Sequence, residues 1–306
     1  MTNALWQRWL VAAHWLLIAA WVAGFWARSP WLALSGVAVV PLLSRLCMAP
    51  QFVLMAWVCR QGTTPTPRPR PGQLLRAWWA ESGWAALVFG WWQPFRHQAL
   101  ADWLPQRAAA DAPAPRGVVL VHGFLCNRGF WTPWMALLRA RGHAFVAVTL
   151  EPAFDPIDRY CGAIDAAVRR VTEATGRAPL VVAHSMGGLA VRAWLRAAPD
   201  GDARVYRVVT LGAPHHGTWP ARWAHTANAR QLQLNSPWLS QLRAQEPPAR
   251  AAAFVCWYSN CDNVVYPPAA AMLDGADNRF IEGAAHVEMA FHPRVLRDCL
   301  DLLQAP

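Results

Sequence analysis

The sequence predicts an α/β domain, a mostly parallel sheet covered by helices on both faces, behind an N-terminal hairpin of transmembrane helices. Three observations carry that expectation. From Arg116 onward, short apolar runs alternate with helical patterns, as right-handed βαβ crossovers require. Residues 5–26, LWQRWLVAAHWLLIAAWVAGFW, are almost wholly apolar, and a second apolar run follows at residues 31–59. Of the 20 tryptophans, 13 precede residue 105, and the first 60 residues hold no Asp or Glu, unlike an ordinary soluble domain.

At about 1.5 Å per residue, the first run is long enough to cross a hydrocarbon core of about 30 Å. Trp6, Trp9, Trp21 and Trp26 lie toward its ends, where indole rings favour the membrane interface. A cleaved signal peptide is the rival reading, but the run is long and a second one follows at once. Pro41, Arg45 and Pro50 interrupt that second run. An Arg at the bilayer centre costs about 2.5 to 3.5 kcal/mol on insertion scales, so Arg45 is expected to snorkel to the headgroups, with the helix spanning 31–48. Residues 49–59 then lie along the membrane surface or lengthen a tilted helix. The intervening loop carries only Arg28, whereas Arg8 precedes the hairpin and Arg60, Arg68, Arg70 and Arg76 follow it. The positive-inside rule puts both ends in the cytoplasm, and the expected location is the inner membrane with the α/β domain on its cytoplasmic side.

Residues 1–60 thus form the hairpin. Residues 61–115 follow as a Pro-rich linker (61–72), a Trp-rich juxtamembrane segment (74–95) interrupted by Glu81, Ser82 and Gly83, and a second linker (108–117). The Trp-rich segment is expected to lie on the membrane or pack on the next domain. Residues 116–306 form the catalytic domain.

The net charge of +10 comes with 28 basic residues, all of them Arg and scattered along the chain. No nucleic-acid-binding motif accompanies them, so nucleic acid is not an expected partner; the readings are a compositional bias or a basic surface near anionic lipid. Seven cysteines, with no CxxC spacing, read as buried thiols; Cys256 and Cys261 flank a strand end and are the one pair to consider in an oxidising compartment. No metal-ligand spacing occurs, and neither metal nor cofactor is implied.

Within the catalytic domain the expected strands are 117–121, 144–149, 180–183, 205–210, 254–259 and 278–281, with helices at 130–141, 157–175 and 186–198. In such sheets ligands sit beyond the carboxyl ends of the strands. Four polar stretches stand there: HGF (122–124), HSMGG (184–188), NCDNVV (260–265) and GAAHVEM (283–289). Ser185 falls on the corner between a strand and a helix, with small Ala183 and Gly187 two residues either side, as a strained nucleophile turn needs. A serine hydroxyl needs a base, and the base needs a carboxylate to hold its tautomer. Asp262 follows the strand FVCWYS and His286 lies 24 residues further on, in the order Ser, acid, His. The N–H groups of Phe124 and Met186 are the expected oxyanion donors, with His122, Gly123 and Gly187 supporting them. The rivals are His292 near the last helix, His215 and His216 on the rim, Glu151 and Asp155 after the second strand, and Asp274 and Asp277 as fallback acids.

The segments VVLVHGF, AHSMGG, VVTLGAPHHGT and CDNVVYPPAAAMLDGADNRFIEGAAHVEM resemble those of the α/β-hydrolases, and among them the small bacterial lipases of Bacillus type, which also carry Ala in place of the first Gly of the serine motif. The resemblance covers residues 116–303. It implies an α/β-hydrolase fold with Ser185 as nucleophile, Asp262 as acid, His286 as base and the Phe124 and Met186 N–H groups as oxyanion hole. It departs at residues 215–250, where Trp219, Trp223, Leu232, Leu234, Trp238, Leu239 and Leu242 give an inserted segment an apolar side, either a lid over an acyl pocket or an ordinary capping helix. The hairpin is a second departure. The expected function is a membrane-anchored lipase or esterase acting on lipid or other acyl esters at the bilayer. A thioesterase or acyltransferase on the same site, or a non-catalytic membrane-tethered scaffold, are the alternatives.

Overall fold

Six short strands, β1 (Val118–Val121), β2 (Phe145–Ala147), β3 (Leu180–His184), β4 (Arg207–Leu211), β5 (Phe254–Ser259) and β6 (Asp277–Ile281), form one sheet in the order β2-β1-β3-β4-β5-β6. Every neighbouring pair is parallel. The computed structural model describes residues 2–61, 66–105 and 115–304, so the two expected linkers fall partly outside it. The expected strand at 144–149 contracts to β2, and the one at 205–210 shifts to β4.

Twelve α-helices surround or precede the sheet among the described residues. Those before it are α1 (Asn3–Trp26), α2 (Pro30–Leu46), α3 (Ala49–Gln61), α4 (Pro71–Leu87) and the short α5 (Gln93–Phe95). Within the catalytic body follow α6 (Thr132–Ala140), α7 (Cys161–Thr175), α8 (Met186–Ala197), α9 (Ala227–Gln231), α10 (Pro237–Ala244), α11 (His286–Met289) and α12 (Pro293–Gln304).

Successive strand residues point to opposite faces, and both faces here are buried, which is why the strands read as continuous apolar runs. Val119, Val121, Val181 and Ala183 pack with Ile164 and Val168 of α7 and Leu189 of α8. Val118, Leu120, Leu180 and Val182 turn the other way, onto Trp134 and Leu138 of α6 and Val295 and Leu303 of α12.

α1, and α2 continued by α3, are long and apolar enough to cross a membrane by length and composition. α1 and α2 pack on each other, and Trp21 Nε1 donates to Leu32 O at 3.0 Å. The base of this hairpin is tied to loops at the carboxyl ends of the strands. Asn3 Nδ2 donates to Cys126 O at 2.6 Å, Asn3 N to Glu151 Oε1 at 2.9 Å, and Gln7 Nε2 to Leu125 O at 3.0 Å. On the return side, Phe52, Met55 and Cys59 of α3 bury one face against Ala77, Cys261, Tyr266 and Ala285. Residues 49–61 therefore pack on protein, which the reading of a surface-lying or span-lengthening segment did not include.

The Trp-rich segment also packs on the catalytic body. Trp84 stacks on Phe291 with ring centroids 4.5 Å apart, and Val88, Phe89 and Trp92 join the same apolar cluster. Further on, Trp103 exchanges two backbone hydrogen bonds with Phe145, at 3.1 and 2.8 Å, beside the edge strand β2.

The inserted segment at 215–250 is folded down rather than held away from the body. Leu232, Leu239 and Leu242 are buried in the first cluster, and Trp238 Nε1 donates to Asp158 Oδ2 at 2.8 Å. All seven cysteines are free, Cys256 and Cys261 included. Because Leu242 is fully buried, Leu242→Ala should cost about 2 to 5 kcal/mol, read as a lower melting temperature of the full chain in detergent. An unchanged melting temperature would mean that the packing of α10 contributes nothing to the body.

Candidate active site

Parallel pairing builds the site by register. Val121 of β1 lies opposite Ala183 of β3, so His122, Gly123 and Phe124 leave the sheet alongside His184, Ser185 and Met186. Ser185 occupies the corner between β3 and α8 at φ 55°, ψ −131°, a region that costs an L-residue about 1 to 3 kcal/mol and persists only where its surroundings impose it. Here Ser185 N donates to Leu211 O at 2.9 Å, and Ser185 O accepts from Gly188 N at 3.0 Å. The Ser185 hydroxyl makes no hydrogen bond to the described residues and is left for an incoming group.

The loop after β1 presses on this corner. A Cβ on Gly123 would lie 2.7 Å from Ser185 Cβ, and one on Gly187 would lie 2.5 Å from His122 O and 2.7 Å from Val121 O. Both glycines are thus required by close approach of backbone. The N–H groups of Phe124 and Met186 find no acceptor among the described residues, so two donors stand free beside the serine. The fully buried ring of His122 sets the loop: Nδ1–H donates to Gly123 O at 2.9 Å, and Nε2 accepts from Leu150 N at 2.9 Å. Burial pushes its pKa down to about 4, so His122 is a neutral brace with both nitrogens engaged.

Asp262 and His286 are brought together from the ends of β5 and β6. His286 Nδ1 lies 3.0 Å from Asp262 Oδ2, and both residues are buried. Asp262 Oδ1 accepts from Val264 N at 2.9 Å and Val265 N at 2.7 Å, which holds the carboxylate in one orientation. For His286, burial disfavours the charged form, but the Asp262 charge, its hydrogen bond and the charge of Glu81 outweigh burial and leave the pKa above the ordinary imidazole value. Gly212, directly after Leu211, links the pair to the serine corner. Its own Cβ position lies 2.8 Å from Asp262 Oδ2 and 3.1 Å from His286 Nδ1, and it sits at φ 56°.

Three groups that sequence reasoning passed over hold the backbone around His286. His184 packs its ring on that of His286, centroids 4.5 Å apart, and its Nε2 bonds His286 O at 3.1 Å. Burial keeps His184 well below the usual imidazole range, hence neutral. Asn263 Oδ1 accepts from His286 N at 3.3 Å. Glu81 of α4 accepts from Val287 N and Glu288 N. The signal for Glu81 was available, since it is the first acidic residue of the chain and stands alone in an apolar, Trp-rich stretch.

The rival residues are engaged elsewhere. His215 is buried, not on the rim as expected, and faces Thr210 Oγ1 at 3.0 Å and Arg192. Glu151 receives the Asn3 amide, Asp155 pairs with Arg159, Asp277 pairs with Arg279, and His292 Nδ1 accepts from Arg294 N at the start of α12. Among the described residues no three His, Cys, Asp or Glu side chains gather as they would around a metal ion.

Residues 118–298, more than half of the chain, match the alpha/beta hydrolase family, and the chain belongs to that family. No curated protein matches it. Among solved structures it is similar to a Bacillus licheniformis lipase in its mature form, with TM-score 0.56 and 20% identity over 66% of this chain and 96% of that one. It is also similar to a phospholipase of Legionella pneumophila, with TM-score 0.50 and 15% identity over 63% of this chain and 60% of that one. At these identities the likeness is one of fold. It agrees with the expected resemblance to Bacillus lipases and supports a hydrolase.

Gly187→Ala tests the close packing of the serine corner. Its new methyl meets backbone oxygens that cannot rotate away, so about 1 to 3 kcal/mol of stability should be lost. The melting temperature of the full chain in detergent should fall accordingly. An unchanged melting temperature would contradict this geometry.

Proposed function

We propose that the protein is a membrane-anchored serine hydrolase that cleaves carboxylic esters of lipids through an acyl-enzyme. The observation that carries the reading is the buried His286–Asp262 pair beside a serine on a left-handed corner, with two unengaged N–H groups next to it. In this reading Ser185 Oγ attacks the ester carbonyl carbon while His286 takes the hydroxyl proton. The Phe124 and Met186 N–H groups hold the resulting oxyanion, a contribution of about 2.7 to 4 kcal/mol per donor in well-studied hydrolases. Collapse breaks the bond to the alcohol, which leaves with the proton from His286. Water, deprotonated by the same imidazole, then releases the acid and restores Ser185. Asp262 orients His286 and stabilises its charged form.

A lipid substrate is favoured by where the hairpin sits. Its base is bonded to Leu125, Cys126 and Glu151, the loops that flank the oxyanion donors, so the carboxyl ends of the strands face the same side as the apolar helices. Leu125, Phe154 and Trp223 are large apolar side chains exposed in the loops on this side, and Phe154 meets the ring of Phe124 at 5.9 Å. A bilayer covering these groups would bring an acyl ester to the serine without passage through water. The similar structures include a lipase and a phospholipase, which agrees with this substrate class. The arginines flanking the hairpin favour a reading in which the catalytic domain lies on the cytoplasmic face of the inner membrane.

The full chain in phosphatidylcholine vesicles should release fatty acid, and His286→Ala should reduce the rate at least about 1,000-fold. The imidazole must be neutral to accept the proton, and its pKa is raised. Hence kcat/KM should climb with pH through a midpoint above about 6.5. Hydrolysis that survives His286→Ala would remove the proposal.

A further inference from the structure

Glu81 lies on α4, ahead of the region that matches the family. Only 2% exposed, it reaches across the sequence to accept from Val287 N at 3.0 and 2.9 Å and from Glu288 N at 3.1 Å. These N–H groups open α11, where a helix has no internal acceptor for them, and Ala285 at the N-cap has no side-chain oxygen to offer. A neutral Ser or Asn at the cap would satisfy such donors locally. The chain instead buries a carboxylate from a distant helix, an arrangement that is costly unless its oxygens are bonded and a compensating positive charge is near. The group next to α11's first turn that acquires such a charge is the His286 imidazole.

We propose that Glu81 is a positioning residue for His286: it clamps the turn that carries the base and brings a second carboxylate, after Asp262, within electrostatic reach of the imidazole. The inference rests on the reading of His286 as the base of Ser185. When His286 takes the serine proton, the imidazolium forms in the field of both Asp262 and Glu81. Burial raises the Glu81 pKa to about 7, against the opposing pull of His286 and the two N–H donors, and Glu81 in turn raises that of His286. Among the described residues, the other charged or titratable groups near α11 are Asp262, Glu288 in its pair with Arg76, His292, the buried Cys261 thiol and the neutral His184. α4 also meets the hairpin: Trp78 Nε1 donates to Arg45 O at 2.9 Å, and the Arg45 guanidinium lies 4.7 Å from the ring centre of Trp79. The segment outside the hydrolase match thus completes the catalytic face and ties it to the apolar helices.

The test measures kcat, KM and the pH profile of ester hydrolysis for the full chain in detergent, comparing wild type, Glu81→Gln, Glu81→Asp and a Ser185→Ala control. Glu81→Gln should lower kcat about 10- to 100-fold with KM nearly unchanged, as a small misplacement of a catalytic group does. It should also move the acid limb to lower pH, because losing the negative charge lowers the His286 pKa. Glu81→Asp keeps the charge, so its limb should stay near that of wild type and part of the rate should return. A Glu81→Gln enzyme with wild-type kcat and limb would overturn the proposal, as would a slower enzyme whose limb does not move. Should Glu81→Gln lose its cooperative melting, Glu81→Asp decides alone, and a wild-type kcat for it would overturn the proposal. Inactive Ser185→Ala beside an unaffected Glu81→Gln removes only the role of Glu81. Activity that survives Ser185→Ala removes the triad and this inference together.

Discussion

The carboxyl end of the sheet is organised around one carboxylate and one imidazole held in contact away from water. His286 Nδ1 and Asp262 Oδ2 meet at 3.0 Å in a region where each is nearly inaccessible. Burying such a pair costs several kcal/mol per ion unless the remaining lone pairs and protons are bonded. Val264 N and Val265 N supply such bonds to Asp262, and His184, Asn263 and Glu81 fix the backbone around His286. The loops, the serine corner and α4 converge on this couple.

A second constraint comes from the apolar hairpin. Its helices expose large residues such as Trp9, Leu16 and Trp31, which an aqueous surface does not favour, yet the polar side chains at its base, Asn3 and Gln7, are buried and bonded to the loops beside the serine. Polar anchoring at one end and apolar exposure along the rest fix the direction in which the hairpin leaves the body. The same end of the sheet carries Ser185, Asp262 and His286, so the base of the apolar hairpin and the candidate site share one end of the body.

Much of the fold was legible because parallel strands buried on both faces leave unbroken apolar runs, as in Val118 to Val121 and Leu180 to His184, and because crossovers space them with amphipathic helices such as α7. The positions of Ser185, Asp262 and His286 were legible from strand ends and chain order, and Asp262 and His286 do meet in space. What tertiary contact alone decides was hidden. A tryptophan is satisfied equally by lipid or by protein, so composition could not say that Trp84 stacks on Phe291 or that Trp103 bonds beside β2. A lone carboxylate in an apolar helix reads locally as an interruption, and only the approach of α11 turns Glu81 into a cap. His215 looked like a rim residue because it follows a strand end, but the chain turns back and buries it against Arg192.

The central claim is that Ser185 is an activated nucleophile. Its most direct measurement is reaction of the folded, detergent-solubilised chain with a fluorophosphonate, followed by mass spectrometry of the digested protein. A single phosphonate adduct on Ser185, formed faster as pH rises through the His286 titration, is the predicted result. Absence of an adduct on a chain shown to be folded, or an adduct on another residue, would contradict the account.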